Sequence, residues 1–155
     1  MSESTQVSSE NAATSAAKSV PVRVDEGELE LAKRLLDAAR NGQTGLLGTF
    51  LRRGVSPDLQ NTGGDTFLTL AAYHRRPETV AMLLEFGADP ALANDRGQLP
   101  LVCAVFTQEA QSARLLLAAG ADPDAGTPSA RETAAMLGSA ELQAILDGRR
   151  DASRA

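Results

Sequence analysis

The chain has 155 residues, a formal charge of −5, one cysteine, one histidine and no tryptophan, and only 3% of it is aromatic. The acidic balance argues against a general affinity for phosphate backbones, which requires a clustered basic face, and a lone cysteine excludes an internal disulfide framework. Leu and Ala supply most of the apolar material, which suits close-packed short helices, so an all-α protein is expected.

Residues 1–26 are rich in Ser, Thr, Ala, Glu and Gln. They cannot bury enough surface to offset the entropy of ordering, and a disordered N-terminal tail is expected. MSESTQVSSENAATSAAKSV has early acids and no apolar core of a leader peptide, and no stretch approaches the roughly 18 apolar residues of a membrane span. A cytoplasmic protein with no membrane partner is expected, and Cys103, in an apolar run beside Val102 and Ala104, reads as a buried small hydrophobe in a reducing compartment.

From Glu28 the pattern turns helical: Leu29, Leu31, Ala32, Leu35, Leu36 and Ala39 recur at steps of three and four. That helix stops near Asn41 and Gly42. A second, about Leu46 to Arg53, buries Leu47, Phe50 and Leu51 and ends at Gly54, a residue free to adopt the left-handed conformation of a helix terminus. Gly54, Gly87 and Gly120 stand 33 residues apart, each followed three positions on by Pro57, Pro90 or Pro123, and Leu51, Leu84 and Leu117 keep the same step. A sustained step of this length marks a stacked repeat. Extended fingers, Val55 to Gly64 and Ala88 to Gly97, follow the helix pairs, and the next helices start at Thr66 and at Pro100, where proline fits the first turn. A last copy is shortened: Ala134 lies only 30 residues after Ala104. Leu142, Ile145 and Leu146 make the apolar face of a short final helix, and polar Arg131, Glu132 and Thr133 suit a C-terminal cap.

Chemistry is sparse. The sole histidine, His74, and Cys103 fall in different repeats, so a Cys-His dyad is disfavoured and zinc ligation has no support. Asp89 and Asp122, in the two Gly-Ala-Asp triplets, read as turn-shaping side chains rather than metal or acid-base carboxylates. Gly63-Gly64 lacks the lysine of a phosphate-binding loop. The pairs Arg52-Arg53, Arg75-Arg76 and Arg149-Arg150 read as solvated helix ends or turns, with contact to a local anionic patch on a partner as the alternative. No catalytic residue, metal site or cofactor is expected.

DTFLTLAA followed by ETVAMLLEFGADP, and QLPLVCAV followed by SARLLLAAGADPDA, resemble the ankyrin repeat, whose pattern is T-P-L-H-x-A-A, a Gly-centred turn, a V-x-x-L-L run and G-A-D. LTLAAYH with NDRGQLPLVCAVF and GTPSA is similar to a branch of small bacterial and fungal ankyrin proteins. The resemblance implies an all-α solenoid of helix-turn-helix units with short β-turn fingers. Its repeats would fall at about 29–64, 65–97, 98–129 and 130–148 within a domain spanning 27–148, with 149–155 a frayed tail. Two departures stand out: Thr69 and Val102 replace the family's His, and Arg75 and Gln108 occupy the turn position where the family has Gly, which leaves that turn's geometry open.

By resemblance such domains bind other proteins through the finger tips and the exposed side of the inner helices, which form a concave groove. Carried over by position, the finger set is Gln60, Thr62, Asp65, Ala93, Asp95, Arg96 and Gln98. The inner-helix set is Arg40 and Asn41, Tyr73 and His74, Phe106 and Thr107, Met136 and Leu137. Tyr73, Phe106 and Met136 would stand in a row as anchors, while Asn94 would hold its finger turn. The expected function is a non-catalytic, monomeric protein-binding adaptor or regulator, with another protein as partner and no nucleic acid. The alternatives are a dedicated inhibitor or stabiliser of a single cytoplasmic enzyme, an enzyme with an unrecognised site, and a passive element whose tail binds. The net acidity favours a partner with a neutral or basic surface.

Overall fold

The computed structural model describes residues 26–154. The tail expected over 1–26 lies, except for Glu26, outside the described residues. Two compact units divide the chain between Arg34 and Leu35. In the first, the described residues form the opening turns of helix α1 (Glu26–Asn41), with Glu26 and Glu28 in the first turn, where acids complement the positive end of the helix dipole. Leu29 there is 48% exposed.

The second unit contains the end of α1, where Leu35, Leu36, Ala38 and Ala39 are buried, and every later element. These are α2 (Thr44–Arg52), α3 (Phe67–Tyr73), α4 (Pro77–Glu85), α5 (Pro100–Phe106), α6 (Ala110–Ala118), α7 (Ala130–Leu137) and α8 (Ala140–Arg154). No strand occurs among the described residues, only isolated bridges between Gln60 and Thr66 and between Gly126 and Ser129. This is an all-α repeat solenoid. The inner helices α3, α5 and α7 pack in succession, the outer helices α2, α4, α6 and α8 do likewise, and each of α3, α5 and α7 also packs on the outer helix that follows it. Helix α8 continues to Arg154, through most of the stretch expected to fray.

The inner row can stack closely because Ala71, Ala72, Ala104, Val105 and Ala134 present small side chains, all fully buried. Between the rows, Leu47, Leu83, Leu116, Leu142 and Leu146 are fully buried, each burial worth about 1.5–3 kcal/mol. Phe50, expected inside, is only half-buried, as is Leu84.

The turn left open by the sequence keeps the family's geometry without the family's glycine. Arg75 and Gln108 take φ of 61° and 59°, alongside Gly42 at 77° and Gly138 at 68° in the first and last copies. In the two central copies the turn amides close the helix ends in the same way: Arg76 N donates to Ala71 O and Arg75 N to Ala72 O, and Glu109 N donates to Ala104 O and Gln108 N to Val105 O. A left-handed non-glycine residue costs about 1–2 kcal/mol. Arg75 offsets that cost by donating from Nη1 to Thr107 O of the next copy at 2.6 Å.

Adjacent fingers are tied side by side. Asn61 Oδ1 accepts from the backbone N of Gly63 and of Asp65, both at 2.9 Å, and Asn94 Oδ1 accepts from Arg96 N at 3.0 Å and Gln98 N at 2.9 Å. Asp95 N donates to Gly63 O at 2.9 Å, and Asn94 Nδ2 donates to Asp65 Oδ1 at 2.8 Å. Gly64 must be glycine: φ is 84° and a Cβ would sit 2.8 Å from Asp95 N. The Gly-Ala-Asp carboxylates shape turns as expected, with Asp89 Oδ1 accepting from Ala91 N and Asp122 Oδ1 from Asp124 N. Thr69, in place of the family's His, bonds within its own helix start, to Thr66 Oγ1 at 3.0 Å.

The last copy is closed by a capping box between Ser129 and Glu132, and by Arg131, which bridges Asp124 at 2.8 Å and Asp147 at 2.6 Å. A buried hydroxyl in the third copy is left without a partner. Thr79 Oγ1 bonds Thr44 Oγ1 of the preceding copy at 2.7 Å, whereas Ser112, one repeat on and fully buried, has no partner for its Oγ. The residue one repeat after Thr44 is Pro77, which has no hydroxyl to offer.

Candidate functional site

In the second unit, the exposed side of the inner helices and the adjoining fingers enclose a groove of about 650 Å³. Its floor comes from the first turns of α3, α5 and α7, with Thr69 and Val102 at equivalent places and Thr133 one position further along its helix, and its finger side from Arg96, Gly97, Gln98, Thr127 and Pro128. Short side chains on the floor leave the room. At the C-terminal ends of the same helices the residues one turn on are large, and they rise as a wall: Tyr73, Phe106 and Met136.

The Tyr73 and Phe106 rings stack nearly parallel, 8° between planes and 6.3 Å between centroids. His74 meets the Tyr73 ring edge-on at 5.2 Å. This geometry lies in the favourable range for ring pairs, and it leaves both outer surfaces available: Tyr73 is 44% exposed, Phe106 55% and Met136 71%. All three side chains are thus exposed along the groove.

Of the residues carried over by position, Arg40, Asp65, Tyr73, His74, Arg96, Gln98, Phe106 and Met136 line the groove. Thr107 does not; its hydroxyl donates to Cys103 O at 3.0 Å. Asp95 is exposed at the finger tip outside the groove, as are Gln60, Thr62 and Ala93. Asp65 is committed to holding fingers, with Oδ1 on Asn94 and Oδ2 accepting from Asn61 Nδ2 at 3.3 Å. Asn94, 6% exposed, is a structural finger residue.

Arg75 and Arg76 are exposed at the turn, as the reading of a solvated pair expects, and their guanidinium groups also make contacts between copies. Arg76 Nε donates to Arg40 O at 3.1 Å, and Arg75 reaches Thr107 O and stands 3.8 Å from Glu109. Each guanidinium thus satisfies a carbonyl near the C-terminal end of an inner helix in a neighbouring copy, where such groups lack helical partners and the dipole favours a cation. The 33-residue period brings these positions close, but sequence alone does not show which way a long side chain crosses.

Burial first, then the charges of Arg40 and Arg76, lower the His74 pKa, so the imidazole is neutral at pH 7. Burial above all, with Asp65, pushes the Cys103 thiol up to about 12, which makes it a poor nucleophile at neutral pH. No group of three His, Cys, Asp or Glu side chains placed to hold a metal ion occurs among the described residues. What the groove offers is a stacked apolar surface, guanidinium donors and room for a side chain.

Residues 26–127 match the family described as ankyrin repeats, in three copies. The fourth, shortened copy, α7 and α8, lies beyond the matched stretch. Over 53 residues the chain is 40% identical to a protein of Pseudomonas aeruginosa named as an ankyrin repeat protein, covering 34% of this chain and 31% of that one. The chain thus spans about a third of the length of this relative. No helix among the described residues is long and apolar enough to cross a membrane.

Proposed function

The chain belongs to the ankyrin-repeat family, whose members are generally non-catalytic protein–protein interaction modules, and from that premise we propose that it acts as an adaptor or regulator, binding its partner through the inner-helix groove. The observation that carries this reading is the row of Tyr73, Phe106 and Met136. Three of the six large hydrophobic residues exposed among the described residues line one groove. Contiguous exposed apolar groups mark interaction surfaces, and interface energy concentrates in a few aromatic anchors. The Tyr73 and Phe106 rings already stack on one another, so they are held out at little conformational cost on binding. A buried, high-pKa Cys103 fits a reducing compartment such as the cytoplasm.

The test is affinity capture from the source cell's lysate with the wild type and a Tyr73→Ala, Phe106→Ala double variant whose helicity matches. Truncating two anchors at about 2 kcal/mol each lowers affinity about 1,000-fold if the effects add, so a partner held by the wild type should be lost. A partner retained by the folded double variant overturns the groove assignment.

A further inference from the structure

The chain's net charge and the groove's own charge point to opposite partners. Among the described residues only one acidic side chain lines the groove, Asp65, and both of its oxygens are occupied by asparagine amides of the fingers. Two guanidinium groups line it, Arg40 and Arg96. Arg40 pairs with Asp37 on its own helix. Arg96 has no carboxylate partner among the described residues: its Nε and Nη2 rest on Gln98 Oε1 at 3.3 and 3.2 Å. Arg76, held against Arg40 O, likewise has none, and it is exposed. The cations therefore stand on both sides of the aromatic wall, Arg96 on the fingers and Arg40 with Arg76 by the helix turns.

We propose that the groove takes an extended segment of a partner protein in which an apolar side chain is flanked by carboxylates. The apolar group seats on the Tyr73–Phe106 pair, and the carboxylates reach Arg96 on one side and Arg76 on the other. This inference rests on the groove reading above and names the chemistry of its occupant. It reverses the expectation drawn from the net charge of −5, because that charge acts over distances that salt screens within about 8 Å at physiological ionic strength, while docking is decided by the groups in contact. Guanidinium groups without acid partners offer planar paired donors that match a carboxylate.

The experiment pans a random linear peptide library displayed on phage against the full chain, then measures recovered peptides by fluorescence anisotropy at 50 and 300 mM salt. The expected result is enrichment of an aromatic or large aliphatic residue with Asp or Glu within two positions on either side. Affinity should fall at least tenfold in Phe106→Ala, about tenfold in Arg96→Gln, and severalfold at high salt. Arg96 is exposed and its substitution leaves the finger backbone bonds in place, so this variant remains informative where Arg76→Gln loosens the contact between copies. Enriched peptides that are basic, yet lost in Phe106→Ala, overturn the acidic-partner inference and leave the groove reading standing. Peptides indifferent to both Phe106→Ala and Arg96→Gln, or no enrichment at all, overturn both.

Discussion

Ser112→Ala should make the protein more stable, although it removes a polar group from the fully buried interior. The Ser112 hydroxyl has no hydrogen-bond partner, and a buried donor left in that state costs about 1–3 kcal/mol. Alanine also favours the interior of α6 over serine by about 0.5 kcal/mol. Against these stands the loss of one oxygen's packing, a void smaller than a methyl group, costing under about 1 kcal/mol. The net gain is about 1–2 kcal/mol, or a rise in Tm of about 4 °C per kcal/mol for a domain of this size. The repeat supplies its own control. Thr79, 33 residues earlier, holds a 2.7 Å bond to Thr44, so Thr79→Val keeps the shape, breaks the bond and should cost about 1 kcal/mol. Urea unfolding of both variants, with unchanged m-values, would read the two shifts as opposite displacements of the midpoint. A Ser112→Ala midpoint at or below that of the wild type would refute the orphan-hydroxyl argument. So would a displacement of both variants in the same direction.

The left-handed turns give a second pair. Gln108→Gly should stabilise by about 1 kcal/mol by relieving a φ of 59°, whereas Arg75→Gly should be close to neutral because it also forfeits the bond to Thr107 O; thermal unfolding of the two side by side checks the difference. Cys103 should resist a thiol-reactive dye in native protein at pH 8 and react fully in urea, since its pKa is raised to about 12. With a proton held in the folded state and lost in the unfolded one, stability from this group is intact below about pH 9 and falls between about 9 and 12, by about 1.4 kcal/mol per pH unit. Cys103→Ala should abolish that slope in pH-dependent urea titrations. His74 has the opposite sense: its lowered pKa keeps the folded form neutral while the unfolded form gains a proton below about pH 6.5. Stability should therefore decline as pH falls from there, and His74→Gln should flatten that decline.

Much of the fold was legible because a repeat leaves the same mark several times. The glycines at 54, 87 and 120, the small pairs at 71–72 and 104–105, and the shortened last interval each predict an element that is present within one or two residues. The row of Tyr73, Phe106 and Met136 was legible for the same reason, since residues one period apart occupy equivalent places in successive copies. Arg75 and Gln108 were not. A pattern that relies on glycine at a left-handed position has no means of showing that a long side chain can be forced there and compensated from the next copy.

The sequence by itself determined the period, the helix boundaries and which face of each helix is apolar, since those follow from local spacing and from residues that stop helices. Which partner each polar side chain finds was decided only by tertiary structure. The sequence offers Asp65 as a binding residue and Asn94 as a finger holder, yet the Asn94 amide ties Asp65 Oδ1 across copies, and the carboxylate that lines the groove has both oxygens engaged by asparagine amides. Arg96, a few residues on, is left without an acid among the described residues. Net charge is a sum over the chain, but the potential in a groove depends on which charges remain unpaired within a few ångströms of it, and that depends on how the copies stack.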